Sequence, residues 1–288
     1  MKKLSVLLGG AASLLVVSLV SHVFADPVDE ELQIDGVRIP TVAPAPKEPP
    51  GHPFAEVKSG WLYREAETRA LEEDSFANPA MLSVERGAAL WETVDGAAGK
   101  SCSSCHGDAE DSMKGVGATY PKWNARAGKP HNLETRINAC RTDNMKAEPY
   151  AFDDDKQKDL TAFIKHQSLG DPVQVDLSQG EMMSWWDKGK ERYYLRTGQL
   201  NLSCASCHET NAGKYIRADH LSQGQTNGFP TYRLTTGGMV SLHNRFRGCI
   251  RDTRAEQPKA FSDELMALEV YTAWRGSGLA VETPAVRQ

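Results

Sequence analysis

The chain has 288 residues, 38 acidic against 33 basic, and a formal net charge of −5 at pH 7. That length suffices for one large or two small domains with real cores. The mild acidity and the lack of a basic stripe exclude nucleic acid as a partner. Six cysteines could form three disulfides in an exported protein, but their spacing points elsewhere.

Lys2 and Lys3 precede a mostly apolar run, Leu4 to Val20, and Val23-Phe24-Ala25 then offers the small or aliphatic residues a signal peptidase reads. The pattern predicts a secretory signal peptide over residues 1–25, cleaved after Ala25. A membrane anchor is the competing reading, for which the apolar run is short. No later stretch is apolar enough to cross a bilayer, so the mature protein is expected to be exported and soluble.

Residues 26–77 contain no cysteine. Pro40, Pro44, Pro46, Pro49, Pro50 and Pro53 crowd together and favour an extended, irregular path. Gly60-Trp61-Leu62-Tyr63 supplies aromatic rings to dock on a core. This segment is expected to wrap over the first of two domains.

Two similar halves follow. A helical pattern from Asn78-Pro79 through Trp91 leads to Cys102-Ser103-Ser104-Cys105-His106, and a second, from about Glu181 to Leu195, leads to Cys204-Ala205-Ser206-Cys207-His208. Gly87 lies 15 residues before Cys102 and Gly189 lies 15 before Cys204. Trp91 and Tyr193 each follow their glycine by one helical turn. Each half then has a long polar stretch with little regular pattern and one lone cysteine, Cys140 or Cys249. Around these cysteines Arg136 corresponds to Arg245, and Ala151-Phe152 to Ala260-Phe261. Each half closes with an amphipathic helix, marked by Leu160, Phe163 and Ile164 or by Leu265, Leu268 and Tyr271. Gly170-Asp171-Pro172 separates the halves, giving domains at 78–172 and 173–288.

Cys-x-x-Cys-His is the attachment signal of c-type haem. Two thiols one helical turn apart add to the two vinyl groups, and the adjacent histidine reaches the iron. A redox dithiol would need a βαβ setting, and a zinc site does not explain the histidine. His106 and His208 are therefore the expected proximal ligands. For the opposite face the candidates are Cys140, Met145, Met113 and His131 in the first half, and Cys249, Met239, His220 and His243 in the second. Only cysteine recurs at one register in both. A Cys140–Cys249 disulfide is the alternative. A thiolate ligand would push electron density onto iron and stabilise the ferric state.

Arg245, Arg247, Arg251 and Arg254 lie within five residues of Cys249, and Lys214, Arg217 and Arg233 precede it. Arginines favour a thiolate and can bind a small oxyanion through paired N–H donors. Arg245 can serve an anion or, like Arg136, a haem propionate. Arg247 has Asn138 in its place in the first half, so it is expected to bind the anion. Arg254, Lys214 and Arg217 are read as surface charge, and His166 as a surface residue. Trp185-Trp186 and Tyr193-Tyr194 are read as core and haem packing.

Together these residues resemble the SoxA family, the dihaem subunits of the SoxAX cytochrome of thiosulfate oxidation. The resemblance is most specific over Ile216 to Gln225, Asn227 to Leu234, and Arg245-Phe246-Arg247-Gly248-Cys249. It implies an all-α fold of two tandem cytochrome c-like domains with long loops and an extended N-terminal segment. It implies two covalently bound haem c groups, attached at Cys102 and Cys105 and at Cys204 and Cys207. His106 and Cys140 would be the axial ligands of haem 1, and His208 and Cys249 those of haem 2. It makes Cys249 a catalytic persulfide and Arg245 a substrate-binding residue. The implied activity is that of a periplasmic L-cysteine S-thiosulfotransferase. Thiosulfate is joined to a cysteine of the carrier SoxYZ, and two electrons pass to the monohaem partner SoxX and a soluble c-type cytochrome. An electron carrier without substrate chemistry and a dihaem peroxidase are the rivals. The lone cysteines argue against the peroxidase, which needs an open iron position, and Arg247 above all favours the enzyme over the carrier.

Overall fold

The structure, a computed structural model, describes residues 31–288. The expected signal peptide and its cleavage after Ala25 lie outside the described residues. The extension forms strand pairs β1–β2 (Leu32–Ile34, Val37–Ile39) and β3–β4 (Val42–Pro44, Glu56–Lys58), then helix α1 (Ala66–Glu73). The first half runs through α2 (Met81–Glu92), α3 (Ser103–His106), α4 (Ala109–Ser112), the hairpin β5–β6 (Lys122–Asn124, Lys129–His131), α5 (Leu133–Cys140) and α6 (Asp155–His166). The second half begins with α7 (Met182–Tyr194), α8 (Cys204–His208) and two hairpins, β7–β8 (Tyr215–Ile216, Asp219–His220) and β9–β10 (Thr231–Arg233, Gly238–Val240). It ends with α9 (Leu242–Asp252), α10 (Asp263–Arg275) and β11 (Ala285–Arg287). Among the described residues no helix is long and apolar enough to cross a membrane.

The all-α expectation is corrected. Eleven short strands form five small sheets among the described residues. Most occupy the polar stretches that lack a helical period, where a hairpin satisfies backbone groups that a loop would leave to water. The repeat continues through them. The hairpins β5–β6 and β9–β10 occupy equivalent positions, and so do the helices α5 and α9 that follow. Asn132 and Ser241 cap those two helices at equivalent positions, each side chain accepting a hydrogen bond from the backbone N–H three residues on.

Each half is built on a crossing of its first and last long helices, α2 with α6 and α7 with α10. The paired glycines explain the closeness. A Cβ on Gly87 would fall 2.3 Å from the Asp159 carbonyl oxygen, and one on Gly189 would fall 2.0 Å from that of Ala267. Backbone meets backbone there, and Trp91 and Tyr193 fill the space one turn later. The halves meet at their matched phenylalanines. Phe152 and Phe261 stack edge to face with centroids 5.3 Å apart.

The extension does not wrap over the first half. It packs mainly on the second half and on the C-terminal tail. Leu32, Ile34, Ile39, Trp61, Leu62 and Tyr63 form a cluster with Ala280. Gln223 accepts from the Lys58 N–H at 2.8 Å, and Trp274 donates to the Glu48 carbonyl at 2.9 Å. The tail runs through the same region. Leu279, Val281, Ala285 and Val286 are fully buried, and β11 pairs in parallel with β9.

A buried polar group ties the two cysteine-bearing helices together. Glu269 Oε2 on α10 accepts from Asn132 Nδ2 at 2.8 Å and lies 2.8 Å from His243 Nε2. Burial opposes charge on His243, but the bond to Glu269 and the Glu269 and Glu134 carboxylates outweigh it and raise its pKa. Glu134, equivalent in register to His243, is pushed up from 4.5 to about 7 by burial, against the pull of His243. A carboxyl raised in the folded state stabilises the fold below its unfolded pKa and loses that contribution as pH rises through 7. At 1.36 kcal/mol per unit the loss is on the order of 3 kcal/mol. Glu134→Gln should therefore flatten the fall in thermal stability between pH 5 and pH 8, a window in which Glu72, raised by burial against the pull of Arg287, acts with the same sign. An unchanged slope would show that Glu134 is not held neutral.

Candidate active site

Each attachment motif folds onto a short helix with the same cap. In the second half Ser203 and Ser206 bond reciprocally, Ser206 N–H to Ser203 Oγ at 3.2 Å and Ser203 N–H to Ser206 Oγ at 3.0 Å. In the first half Ser101 and Ser104 do the same at 3.1 and 3.0 Å. These caps start the turn that puts Cys204 and Cys207, or Cys102 and Cys105, on one face. His208 is then aimed by a bond from Nδ1 to the Ser222 carbonyl at 2.9 Å. A carbonyl can only accept, so Nδ1 carries the proton and Nε2 keeps its lone pair. Burial lowers His208 to about 4, against the Ser222 bond, so the ring is neutral at pH 7. Gly224, at φ +76°, lies against that ring, and a Cβ there would fall 2.7 Å from His208 Cγ.

Cys204, Cys207, His208, Arg245, Phe246 and Cys249 line one cleft, with about 1370 Å³ of empty space counting its open mouth. Its surface is mostly apolar. These residues fit a haem: two thiols one turn apart, a neutral imidazole with a free Nε2 held by a carbonyl, and a second sulfur donor in the same cleft. In each half the lone cysteine is close enough to the first thiol of the attachment motif to affect it. Burial pushes the thiols of Cys102 and Cys204 up, to about 11 and about 12, and the lone cysteine of the same half adds to each shift, Cys140 in the first and Cys249 in the second. All six cysteines are free of disulfides, so Cys140 and Cys249 are not joined.

The other candidate iron ligands have different surroundings. Met239 packs with Ala80, Val84 and Ala162 of the first half, and His243 faces Glu269. His220 stacks on Tyr215 and bonds through Nε2 to the Gly213 carbonyl at 3.1 Å. His131 Nδ1 meets the Asn124 amide at 3.1 Å. Met113 and Met145 are buried in the first half. His106 stands beside Trp91, with ring centroids 5.8 Å apart.

Among the arginines near Cys249 along the chain, Arg245 lines the cleft and Arg247 does not. Arg245 precedes Cys249 by four residues on α9, so both open into the cleft. Arg247, two residues from each, points away. Its Nε donates to the Pro258 carbonyl at 3.1 Å, and its guanidinium lies 5.1 Å from the centre of the Phe152 ring in the other half. Asn138, its counterpart, likewise donates to a loop carbonyl, that of Tyr150, at 3.0 Å. Arg247 thus repeats the structural task of Asn138, and its expected anion-binding role is corrected. His166 is not simply a surface residue either: its Nδ1 bonds the Thr283 carbonyl at 3.0 Å.

Four other arginines line the cleft: Arg64, Arg192, Arg233 and Arg287. Arg64 comes from the extension. Its side chain is 8% exposed, paired with Asp219 at 3.2 Å, and bonded to the His220 carbonyl. Arg287 comes from the tail and meets Glu72 at 2.5 Å and Glu282 at 2.8 Å. Neither position carries a local sequence signal, because the chain ends reach the cleft only through the fold.

A family model described as SoxA/TsdA, cytochrome c domain, matches residues 86–173. The chain is 71% identical over 264 residues to the L-cysteine S-thiosulfotransferase subunit SoxA of Pseudaminobacter salicylatoxidans, covering 92% of this chain and 91% of that protein. It is 47% identical over 280 residues to the subunit of the same name from Paracoccus pantotrophus, covering 96% of each. The crystal structure of SoxXA from P. pantotrophus superposes with a TM-score of 0.86 at 46% identity, covering 91% of this chain and all of that one. Identity at this level across nearly the whole length, on a fold with paired attachment motifs and paired lone cysteines, places the chain in the SoxA family of cytochromes with covalently bound haem c.

Proposed function

We propose that this chain is the catalytic dihaem subunit of a periplasmic heterodimer with a monohaem SoxX-type partner. It joins thiosulfate to a cysteine of the carrier SoxYZ and passes two electrons to a soluble c-type cytochrome. The names of its relatives support the transferase activity, and a relative solved as SoxXA supports the partner. The observation that carries the reading is local. Arg245 and Cys249 share one face of α9 and open into the cleft of Cys204, Cys207 and His208.

Cys204, Cys207, His208 and Cys249 would hold one haem, and Cys102, Cys105, His106 and Cys140 another. Bound there, haem supplies a one-electron redox centre with a sulfur ligand. The chain's own residues do the rest. Arg245 draws the dianion toward Cys249. Cys249, carried as a persulfide, takes up and releases a sulfur group, dividing one difficult bond formation into two steps. The apolar walls exclude water and strengthen each charge interaction. In the net reaction the carrier thiol loses its proton, its sulfur bonds the terminal sulfur of thiosulfate, and two electrons leave.

Intact mass of the purified complex tests this. Two haems and additional sulfur on the Cys249 peptide, removable by reductant, are expected. A Cys249 peptide with an unmodified thiol in active protein would defeat the persulfide.

A further inference from the structure

Five arginines line the cleft, and two of them lack a carboxylate partner among the described residues; Arg192 pairs with Glu264. Arg287 faces Glu72 and Glu282, and Arg64 faces Asp219. Arg233, at the end of β9, and Arg245, on α9, line the same cleft, and neither has a carboxylate partner among the described residues. Both are only partly exposed. Two like charges facing one apolar-walled cleft repel each other unless an anion lies between them. The electrostatics carry that strain: burial, Arg245 and Arg64 all disfavour charge on Arg233, while Asp219 and the Cys249 sulfur favour it.

The repeat says which of these charges is special to the second half. Arg245 recurs as Arg136. Arg233 does not recur: Asn124 ends the equivalent strand β5, and its amide meets His131 at 3.1 Å. Both halves carry an attachment motif, so a cation serving haem propionates is needed in both. A cation confined to the second half matches a ligand met only there.

The geometry points to Arg233 and Arg245 as two arms of one clamp for a doubly charged oxoanion beside Cys249, with Arg233 the arm that makes the second half selective for substrate. The identification of that anion as thiosulfate rests on the function proposed above. Two guanidinium forks can each give paired N–H donors to the oxygens of such an anion. Arg64, fixed by Asp219, backs the clamp from the extension, so the extension completes the site rather than decorating it.

The test uses the holo complex with its monohaem partner. Thiosulfate binding is measured by calorimetry, turnover by cytochrome c reduction, and the haem 2 midpoint potential by redox titration. Arg233→Gln should weaken thiosulfate binding about 10- to 100-fold, the worth of a charge-assisted pair, and raise KM to match with kcat little changed. The haem 2 potential should stay where it is. Arg233→Lys should restore part of the affinity, and Arg247→Gln should leave it unaltered. Unchanged binding in Arg233→Gln overturns the clamp. So does a shifted potential with unchanged binding, which would make Arg233 a propionate partner, and so does a wild-type complex that binds no thiosulfate. If the wild type binds thiosulfate and Arg233→Gln loses it, but no electrons are ever released, the proposed reaction fails and the clamp stands.

Discussion

Cys249→Ser is expected to abolish thiosulfate-dependent reduction of cytochrome c while both haems remain attached. In the proposed reading attachment uses Cys102, Cys105, Cys204 and Cys207, none of which the substitution touches. Serine is close to cysteine in size, and position 249 lies near the end of α9, so the helix and its Ser241 cap survive. The chemistry does not survive. An alcohol oxygen cannot carry a sulfane sulfur, and it is a poor iron ligand beside a thiolate. Removing a covalent participant costs on the order of 10³-fold or more in turnover, leaving only binding and positioning. An electron carrier without substrate chemistry behaves differently. Its serine variant would have a changed haem potential and would still pass electrons from a chemical reductant. Cys140→Ser separates the two haems, because it alters the first centre and should leave thiosulfate turnover in place. Turnover in Cys249→Ser within about tenfold of wild type would move the chemistry elsewhere.

The sequence was most legible where a short motif or a repeat carries the physics locally. Cys-x-x-Cys-His needs only one helical turn to present its thiols, and the structure builds that turn twice with the same serine cap. The glycine-aromatic spacing was visible as a repeat, and its cause, backbone contact at each helix crossing, follows from the lack of a Cβ. The hairpins before each lone cysteine were less legible because they are short and half-exposed, so their alternation is diluted. In the extension the β1–β2 turn is Asp35-Gly36, with φ of 49° and 81°, a local signal that the prolines around it overshadow. Arg247 shows the sharper limit. Counting charge near Cys249 along the chain ignores that α9 turns position 247 away from positions 245 and 249. Arg64 and Arg287 show the converse, since they are remote in sequence and adjacent in the cleft. The path of the extension was illegible for the same reason: its apolar partners, Ala280 among them, lie at the other end of the chain.

Arg245→Ala is expected to reduce kcat/KM for thiosulfate on the order of 10²-fold, with haem content and folding intact. The size follows from losing a charge-assisted, two-pronged contact in a partly desolvated site, roughly 3 kcal/mol. The fold should tolerate the change because Arg245 has no carboxylate partner among the described residues, so no buried acid is stranded by its removal. Arg136→Ala is the matched control. It deletes the same residue type at the same register of the first half, where the side chain is exposed and no Arg233 equivalent faces it. Turnover there should stay within about twofold, the usual effect of a surface change. The comparison also decides what Arg245 is for. If it pairs only with a haem propionate, both alanine variants should shift the potential of their own haem and neither should raise KM. If it binds the incoming dianion, only Arg245→Ala loses turnover, and its remaining turnover falls less steeply with ionic strength than that of wild type, because a guanidinium that steers the anion is already gone. Wild-type kinetics in Arg245→Ala would leave Cys249 without its anion partner and would remove α9 as the seat of substrate binding.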